Sequence, residues 1–172
     1  MKYMLAGVLA AAALTMAGAA LAEGPNDAQI AHIAYTAGNL DVAAAKQALA
    51  KSKNPVVREF ASEMVRDHEA VNVKAVELVT ALKVTPEDNP TSQALSKAAD
   101  DTMKKLASLD GAAFDKAYVE NEVAFHKTVN GALESTLIPS AQNAQLKSLL
   151  ETGLTLFREH QLHAEHVASE LK

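Results

Sequence analysis

The segment VTPEDNPTS, residues 84–92, decides the fold, because it separates two long helical segments that precede it from three helical segments that follow it. Two prolines in a polar run predict a loop here. On both sides of it, from Asp27 onward, apolar residues recur every three or four positions, and strand-like alternation never takes over. The sequence therefore predicts an all-α protein with a topology that depends on this connection.

Two long amphipathic helices precede the loop. The first is predicted to begin at Asn26 or Asp27, both good N-caps, and to run to about Ser52. The NP pair at 54–55 ends it and starts the second helix, since proline suits a first helical position. A connection this short predicts that the two helices are antiparallel.

Three further helical segments follow the loop. The first is short and highly charged, from Ser92 to about Leu109, and the DG pair at 110–111 ends it. A long helix then begins near Ala112. The IPS tripeptide at 138–140 is interpreted as a short turn, after which the last helix runs from about Ala141 to the end of the chain.

The four long segments predict a four-helix bundle, and the loop predicts its connectivity. About 28 residues join the second and third long helices, and the short helix among them rises about 27 Å, most of a bundle's length. The chain can therefore return to its starting end before the third long helix begins. This is the ferritin-like arrangement, with one long crossover that carries a short extra helix and with the second and third long helices parallel.

The first 22 residues have the pattern of a secretory signal. Lys2 precedes an apolar run, and Ala20-Leu21-Ala22 fits a cleavage site, so a mature domain of residues 23–172 is predicted in the periplasm or outside the cell. An uncleaved membrane anchor is the alternative, because the apolar run is close to the shortest that spans a bilayer.

Composition excludes several classes of partner. The chain has no cysteine, so neither a disulfide nor a lipid-acceptor cysteine is available. Its net charge is −5, and loss of Lys2 with the signal makes it −6. Nucleic acids and anionic lipids require a basic surface, so neither is predicted as a partner. The mature domain is predicted to be soluble, without strong membrane association, and its protein partners are not predicted.

Histidines lie on the apolar stripes of three different long helices. At 100° per residue, His68, His126 and His160 all point inward, as do Asp41 and Glu122. Counting along the helices places His68, His126 and Asp41 at nearly one height, and Glu122 precedes His126 by four residues. Counting across a turn at 137–141 places His160 opposite residues 118–122, one turn or more above His126.

This constellation predicts a mixed nitrogen–oxygen metal site for zinc, copper or iron. His68, Glu122 and His126 are the predicted ligands, with Asp41 and His160 as further ligands or as partners that orient them. The alternative is that each histidine is a neutral core residue bonded to a carboxylate, a tyrosine or a backbone carbonyl. A di-iron centre is not predicted, because no Glu-x-x-His motif is present.

The last helix also carries a surface set. Glu159, His163 and His166 are neighbours at helical spacing and predict a weak exposed metal site, with an ordinary solvated face as the alternative. Glu63 and Asp67 are interpreted as solvated charges. No phosphate-binding loop or nucleophile motif occurs, so the chain is predicted to be a binding or structural protein rather than an enzyme.

Three stretches resemble the signature sequences of a known family. They are NPVVREFASEMVRDH (54–68), FDKAYVENEVAFH (114–126) and REHQLHAEHVASEL (158–171). They are similar to those of an exported, ferritin-like bacterial family known as domain of unknown function 4142. The resemblance implies the bundle fold and export, its usual label implies outer-membrane association, and it implies no established activity. Members often carry a glutamate where this chain has Ala43.

Two functions from different classes follow from these observations. The first is an exported metal-binding bundle that stores, buffers or senses a transition metal. The second is a structural or interaction module of the cell envelope, whose histidines are satisfied polar groups of the core.

Overall fold

The computed structural model describes residues 24–171, and over this range the chain is helical without any strand. The helices are α1 (Asp27–Lys51), α2 (Pro55–Leu82), α3 (Pro90–Ala107), α4 (Gly111–Ala132) and α5 (Ala144–Glu170). The predicted all-α fold class is confirmed. The predicted signal, residues 1–22, lies outside the described residues. None of the helices described is long and apolar enough to cross a membrane.

Asparagine side chains set four of the helix starts. Asn26, Asn54, Asn89 and Asn143 each accept a hydrogen bond from backbone N–H groups in the first turn of α1, α2, α3 and α5, respectively. Such caps satisfy N–H groups that have no partner within the helix, and each contributes about 1 kcal/mol. The first two starts agree with those predicted from the sequence.

Contacts between side chains establish that the first and second long helices are antiparallel, as are the third and fourth. On α1 and α2, Nζ of Lys46 lies 2.7 Å from Oε1 of Glu69, while Asn39 accepts a hydrogen bond from the more distant Asn72. Lys127 of α4 binds Glu165 of α5 at 3.0 Å, while Glu134, just beyond the end of α4, binds the earlier Arg158 at 2.8 Å. Residue numbers rise on one helix as they fall on the other, which is the signature of antiparallel packing.

The second and third long helices, α2 and α4, are parallel. The rings of Phe60 and Tyr118 have centroids 6.2 Å apart, and those of His68 and His126 are 5.6 Å apart. From the first pair to the second, the residue number rises by eight on each helix, so the two helices run in the same direction. The predicted one-crossover bundle is therefore confirmed.

The crossover helix α3 lies on the outside of the bundle against α1. Nζ of Lys51 donates to the backbone oxygen of Ala107 at 2.7 Å, and Gln47 donates to that of Met103 at 3.3 Å. Leu106, only 1% exposed, is the apolar residue that α3 buries most completely. The remaining faces of α3 are mostly exposed, as its many charges predicted.

The end of α4 differs from the prediction. The IPS tripeptide is not a turn, because α4 continues through a π-helical turn (Leu133–Leu137) and a final helical turn (Ile138–Ser140). A proline inside a helix lacks an N–H and crowds the carbonyl four residues earlier, and π-helical turns accommodate such irregularities. The chain reverses instead at residues 141–143.

The core has two apolar halves separated by a polar layer. One half is filled by large side chains, among them Phe60, Met64, Phe114 and Tyr118, all fully buried. The other is built from aliphatic residues such as Ile30, Leu133 and Leu150. In each long helix, the residues between these two groups include buried histidines or carboxylates, and these form the candidate site.

Candidate metal centre

All four long helices contribute to the polar layer. Asp41 comes from α1, His68 from α2, Glu122 and His126 from α4, and His160 from α5. Each is between 1% and 4% exposed. The sequence placed all five on inward stripes, and the structure buries all five.

Three of these side chains form a trihistidine group. The ring centroids of His68, His126 and His160 lie 5.2–5.6 Å apart, and one ring nitrogen from each lies within 4.8 Å of the other two. The expected offset of His160 by one turn or more is wrong. Because the chain reverses at residues 141–143 rather than 137–141, α5 is displaced along α4 and brings His160 beside His126.

Asp41 lies against two of the three histidines. Its Oδ2 atom is 3.6 Å from Nε2 of His68 and 3.7 Å from Nε2 of His126. In a tetrahedral site with bonds of about 2.1 Å, ligand atoms are separated by roughly 3.4 Å. Asp41, Glu122 and His126 also form a second group with ligand atoms within 4.8 Å of one another.

Hydrogen bonds orient two of the imidazole rings. Nδ1 of His126 lies 3.0 Å from the backbone oxygen of Glu122, so Nδ1–H donates there and Nε2 keeps its lone pair. Nε2 of His160 lies 3.1 Å from Oδ2 of Asp67, so Nε2–H donates to that carboxylate and Nδ1 keeps its lone pair. Ligand histidines in metal sites are commonly held by a bond of this kind from the opposite nitrogen.

The layer is rich in buried polar atoms that have no hydrogen-bond partner among residues 24–171. They include both carboxylate oxygens of Asp41, both ring nitrogens of His68, Oε2 of Glu122, Nε2 of His126, Nδ1 of His160 and the hydroxyl of Tyr118. Each such atom costs about 1–3 kcal/mol of desolvation when it is left unsatisfied. Their concentration at one level makes this layer the candidate site. The buried groups could hold a metal ion.

Burial shifts the pKa values of this layer toward neutral side chains. It lowers the pKa of His68 to about 2, assisted by the neighbouring histidines, and that of His126 to about 4. Burial raises the pKa of Asp41 to about 7. Burial and the adjacent Asp41 carboxylate together raise the pKa of Glu122 well above its usual range. Both histidines are therefore neutral at pH 7, which is the form that binds metals.

Two carboxylates that were predicted from the sequence to be solvated are directed toward α5 instead. Asp67 bonds to His160, and Oε2 of Glu63 lies 2.6 Å from Nδ1 of His163. The interpretation of Glu63 and Asp67 as solvated charges is wrong. Glu63 and Asp67 are four residues apart and therefore lie on one flank of α2, and His160 and His163 lie on the matching flank of α5. This matching spacing is the sequence signal that could have predicted both pairs. Glu63, Asp67 and His160 form a third group with possible ligand atoms within 4.8 Å.

The three residues of the predicted surface site, Glu159, His163 and His166, do not converge as the core residues do. Glu159 is exposed, His163 pairs with Glu63 and lies edge-on to Phe60, and Nε2 of His166 lies 3.3 Å from Oε1 of Glu170. Within the described part of the chain, Glu159, His163 and His166 are not among the sets whose ligand atoms lie within 4.8 Å. Position 43 is also on the outside, since Ala43 is exposed while Asp41 faces the site.

Comparisons with known proteins agree with the fold. A family model described as domain of unknown function DUF4142 matches residues 10–167. No curated protein matches the chain. A crystal structure of a DUF305 protein from Streptomyces coelicolor is similar, with a TM-score of 0.70 at 12% sequence identity, over 83% of this chain and 91% of that one. At this identity the likeness shows the fold alone.

Proposed function

The chain belongs to the DUF4142 family, whose description assigns no function, and we propose that it is a metal-binding protein rather than an enzyme. The proposed site holds one divalent transition-metal ion at the centre of the bundle. Its ligands are one nitrogen each from His68, His126 and His160, and an oxygen of Asp41. Glu122 stays protonated beside Asp41 and is not a ligand.

The observation that carries this proposal is the convergence of unsatisfied donors from four helices. Four side chains that are at most 4% exposed present ligand atoms without hydrogen-bond partners in residues 24–171. Coordination bonds offset the cost of removing such atoms from water. The trihistidine nitrogens, within 4.8 Å of one another, need side-chain movements on the order of 1 Å to meet a common ion.

The donor set favours zinc or copper over iron. Three imidazole nitrogens and one carboxylate oxygen suit both Zn²⁺ and Cu²⁺, and Cu²⁺ is the tighter binder in a given nitrogen–oxygen site. A set of four protein ligands leaves no coordination position for a substrate, which supports storage or buffering rather than catalysis. Because the histidines are already neutral, their protons do not compete with the metal.

Export is part of the proposal. Residues 1–22 have the pattern of a secretory signal, and a protein that buffers metal in the periplasm must be carried across the inner membrane. We expect the mature chain to begin at Glu23, and N-terminal sequencing of the periplasmic fraction measures this directly. An intact Met1 end in the inner membrane would contradict export as a free protein.

The metal proposal is tested with protein purified without a histidine tag and stripped with a chelator. We expect one equivalent of Zn²⁺ or Cu²⁺ to bind, measured by elemental analysis after gel filtration. Free metal at one hundred times Kd stabilises a fold by about 2.7 kcal/mol. For a protein of this size, that raises Tm by roughly 5–10 °C.

Matched histidine variants separate the core site from weak surface binding. His126→Ala should abolish the rise in Tm, whereas His166→Ala should keep it, because His166 is exposed and bonded to Glu170. Equal Tm values for stripped and metal-supplemented wild-type protein would overturn the proposal. The histidines would then be polar residues of the core in a structural or interaction module.

A further inference from the structure

A cavity of about 330 Å³ occupies the aliphatic half of the bundle. It extends from His68 and His126 at the polar layer toward Leu137 and Leu146 near the chain reversal. Interiors of proteins are packed as densely as organic crystals, with few voids larger than a water molecule. A space of this volume is therefore more than an ordinary packing defect.

Small residues form part of the wall of this space. They include Ala34 and Ala37 of α1 and Ala132 of α4. The other half of the bundle is instead filled by aromatic side chains, including Phe60 and Phe114. The two halves differ in the size of their side chains and not in the helices that build them, since the same long helices form both.

The walls of the cavity are mostly apolar, and its inner end is polar. Aliphatic residues such as Ile33, Leu133 and Leu150 line its sides. At the inner end, His68 is 4% exposed, and neither of its ring nitrogens has a hydrogen-bond partner in the described chain. The ring of Phe157 is stacked on that of His68, with centroids 4.7 Å apart, and holds it in place. Pockets with mostly apolar walls and a few polar groups are typical of sites for small ligands.

We propose that this cavity binds a small neutral molecule, mostly hydrocarbon, with a single hydroxyl or similar group that bonds to His68. An engineered apolar cavity of about 150 Å³ accommodates benzene, so about twice that volume accepts roughly 10 to 17 non-hydrogen atoms. A neutral imidazole both donates and accepts, as a hydroxyl does. A carboxylate head group is disfavoured, because none of the described residues that line the cavity is a lysine or arginine that could offset the loss of its hydration.

The cavity is not fully closed to solvent. In its wall, Val79 of α2 and Leu95 of α3 are only half-buried, and Thr91 of α3 is exposed. A ligand can therefore reach the cavity without unfolding of the bundle. The site does not depend on a bound metal, because it is formed by residues of the metal-free chain.

The test uses N-phenyl-1-naphthylamine, a neutral probe that fluoresces in apolar surroundings, with the full mature chain and a metal chelator. We expect saturable binding of about one probe per chain. Because a hydroxyl suits His68, 1-decanol should displace the probe at concentrations about tenfold lower than decanoate does.

Cavity-filling variants decide whether the probe occupies this space. Ala37→Leu on α1 and Ala132→Leu on α4 each add side-chain volume at a residue that lines the cavity, and either one should weaken probe binding by at least about tenfold. Ala70→Leu makes the same change at an exposed position of α2 and should leave binding unchanged. Circular dichroism verifies that each variant is folded. Absence of saturable binding to the wild type, or unchanged binding by a folded cavity-filling variant, would overturn the proposal.

Discussion

Oδ2 of Asp67 lies 3.1 Å from Nε2 of His160, although the two residues are 93 positions apart in the chain. The same carboxylate accepts two hydrogen bonds from Arg66, at 2.7 and 2.9 Å. Asp67 therefore joins a charged group on the surface of α2 to a buried ring on α5. Because it occupies Nε2 of His160, it leaves Nδ1 as the nitrogen available to the centre of the bundle.

Removal of this carboxylate should weaken metal binding without removing a ligand. Partners that orient a ligand histidine typically contribute 10- to 100-fold in metal affinity, so we expect a loss of about that size for Asp67→Ala. Competition with a chromophoric chelator measures the affinity. Glu63→Gln is the matched control, since Glu63 pairs with His163 rather than with a core histidine. Equal affinities for Asp67→Ala and wild type would exclude the orienting role.

The stability of the metal-free protein should depend on pH through Asp41. Its pKa is about 7 in the folded protein and 3.8 for the ordinary side chain. Between these values the folded state holds a proton that the unfolded state has lost, so this group's contribution to the unfolding free energy decreases as pH rises. The total decrease is on the order of 4 kcal/mol, complete at about pH 7.

Asp41→Asn removes this titration. In the presence of a chelator, the stability of the variant relative to wild type should therefore increase from pH 4 to pH 7 and then level off. Urea denaturation at several pH values measures the difference. A difference that does not vary with pH would show that Asp41 is not buried as a neutral acid.

The aromatic half of the core should contribute more to stability than the exposed apolar residues. Phe60 is fully buried against Tyr118, and Phe60→Ala should cost about 3–5 kcal/mol through lost burial and the cavity left behind. Val73 on the same helix is 56% exposed, and Val73→Ala should change stability by less than about 0.5 kcal/mol. Chemical denaturation of the two variants distinguishes these outcomes.

Asp27 should stabilise the junction between the first and last helices. Its carboxylate accepts hydrogen bonds from the backbone N–H groups of Gln142, at 2.8 Å, and Asn143, at 2.9 Å. Hydrogen bonds to charged groups contribute about 1.5–3 kcal/mol when buried, so Asp27→Ala should cost about 1–2 kcal/mol at this half-buried position. Asp101→Ala removes an exposed partner of Lys104 and serves as the control, with a change below about 0.5 kcal/mol. Equal thermal stability of the two variants would contradict the junction role.

Local sequence signals were sufficient for the helices and for much of the site. The asparagine caps, Pro55 and the 3.6-residue periodicity depend only on neighbouring residues, so they predicted the first two helices closely. The same periodicity put His68, His126 and His160 on inward stripes. The length of the connection after α2 was enough to predict that α2 and α4 are parallel.

The height of His160 could not be predicted in this way. It depends on where the chain reverses, and a π-helical turn (Leu133–Leu137) followed by a helical turn that contains Pro139 carries α4 beyond the point where the proline suggested an end. A shift of a few residues in this reversal moves every residue of α5 along the bundle. Only the assembled structure shows that His160 meets the other two histidines.

The sequence by itself determined an all-α bundle, its connectivity and the inward face of each helix, because these follow from local periodicity, caps and chain length. The tertiary structure alone decided that Asp67 faces His160, since one flank of a helix is solvated or covered according to how its neighbour packs. It also decided the cavity, because small residues leave a space only where the packing of the helices brings them around it. Contacts between helices depend on the packing of the whole bundle, and no single segment contains that information.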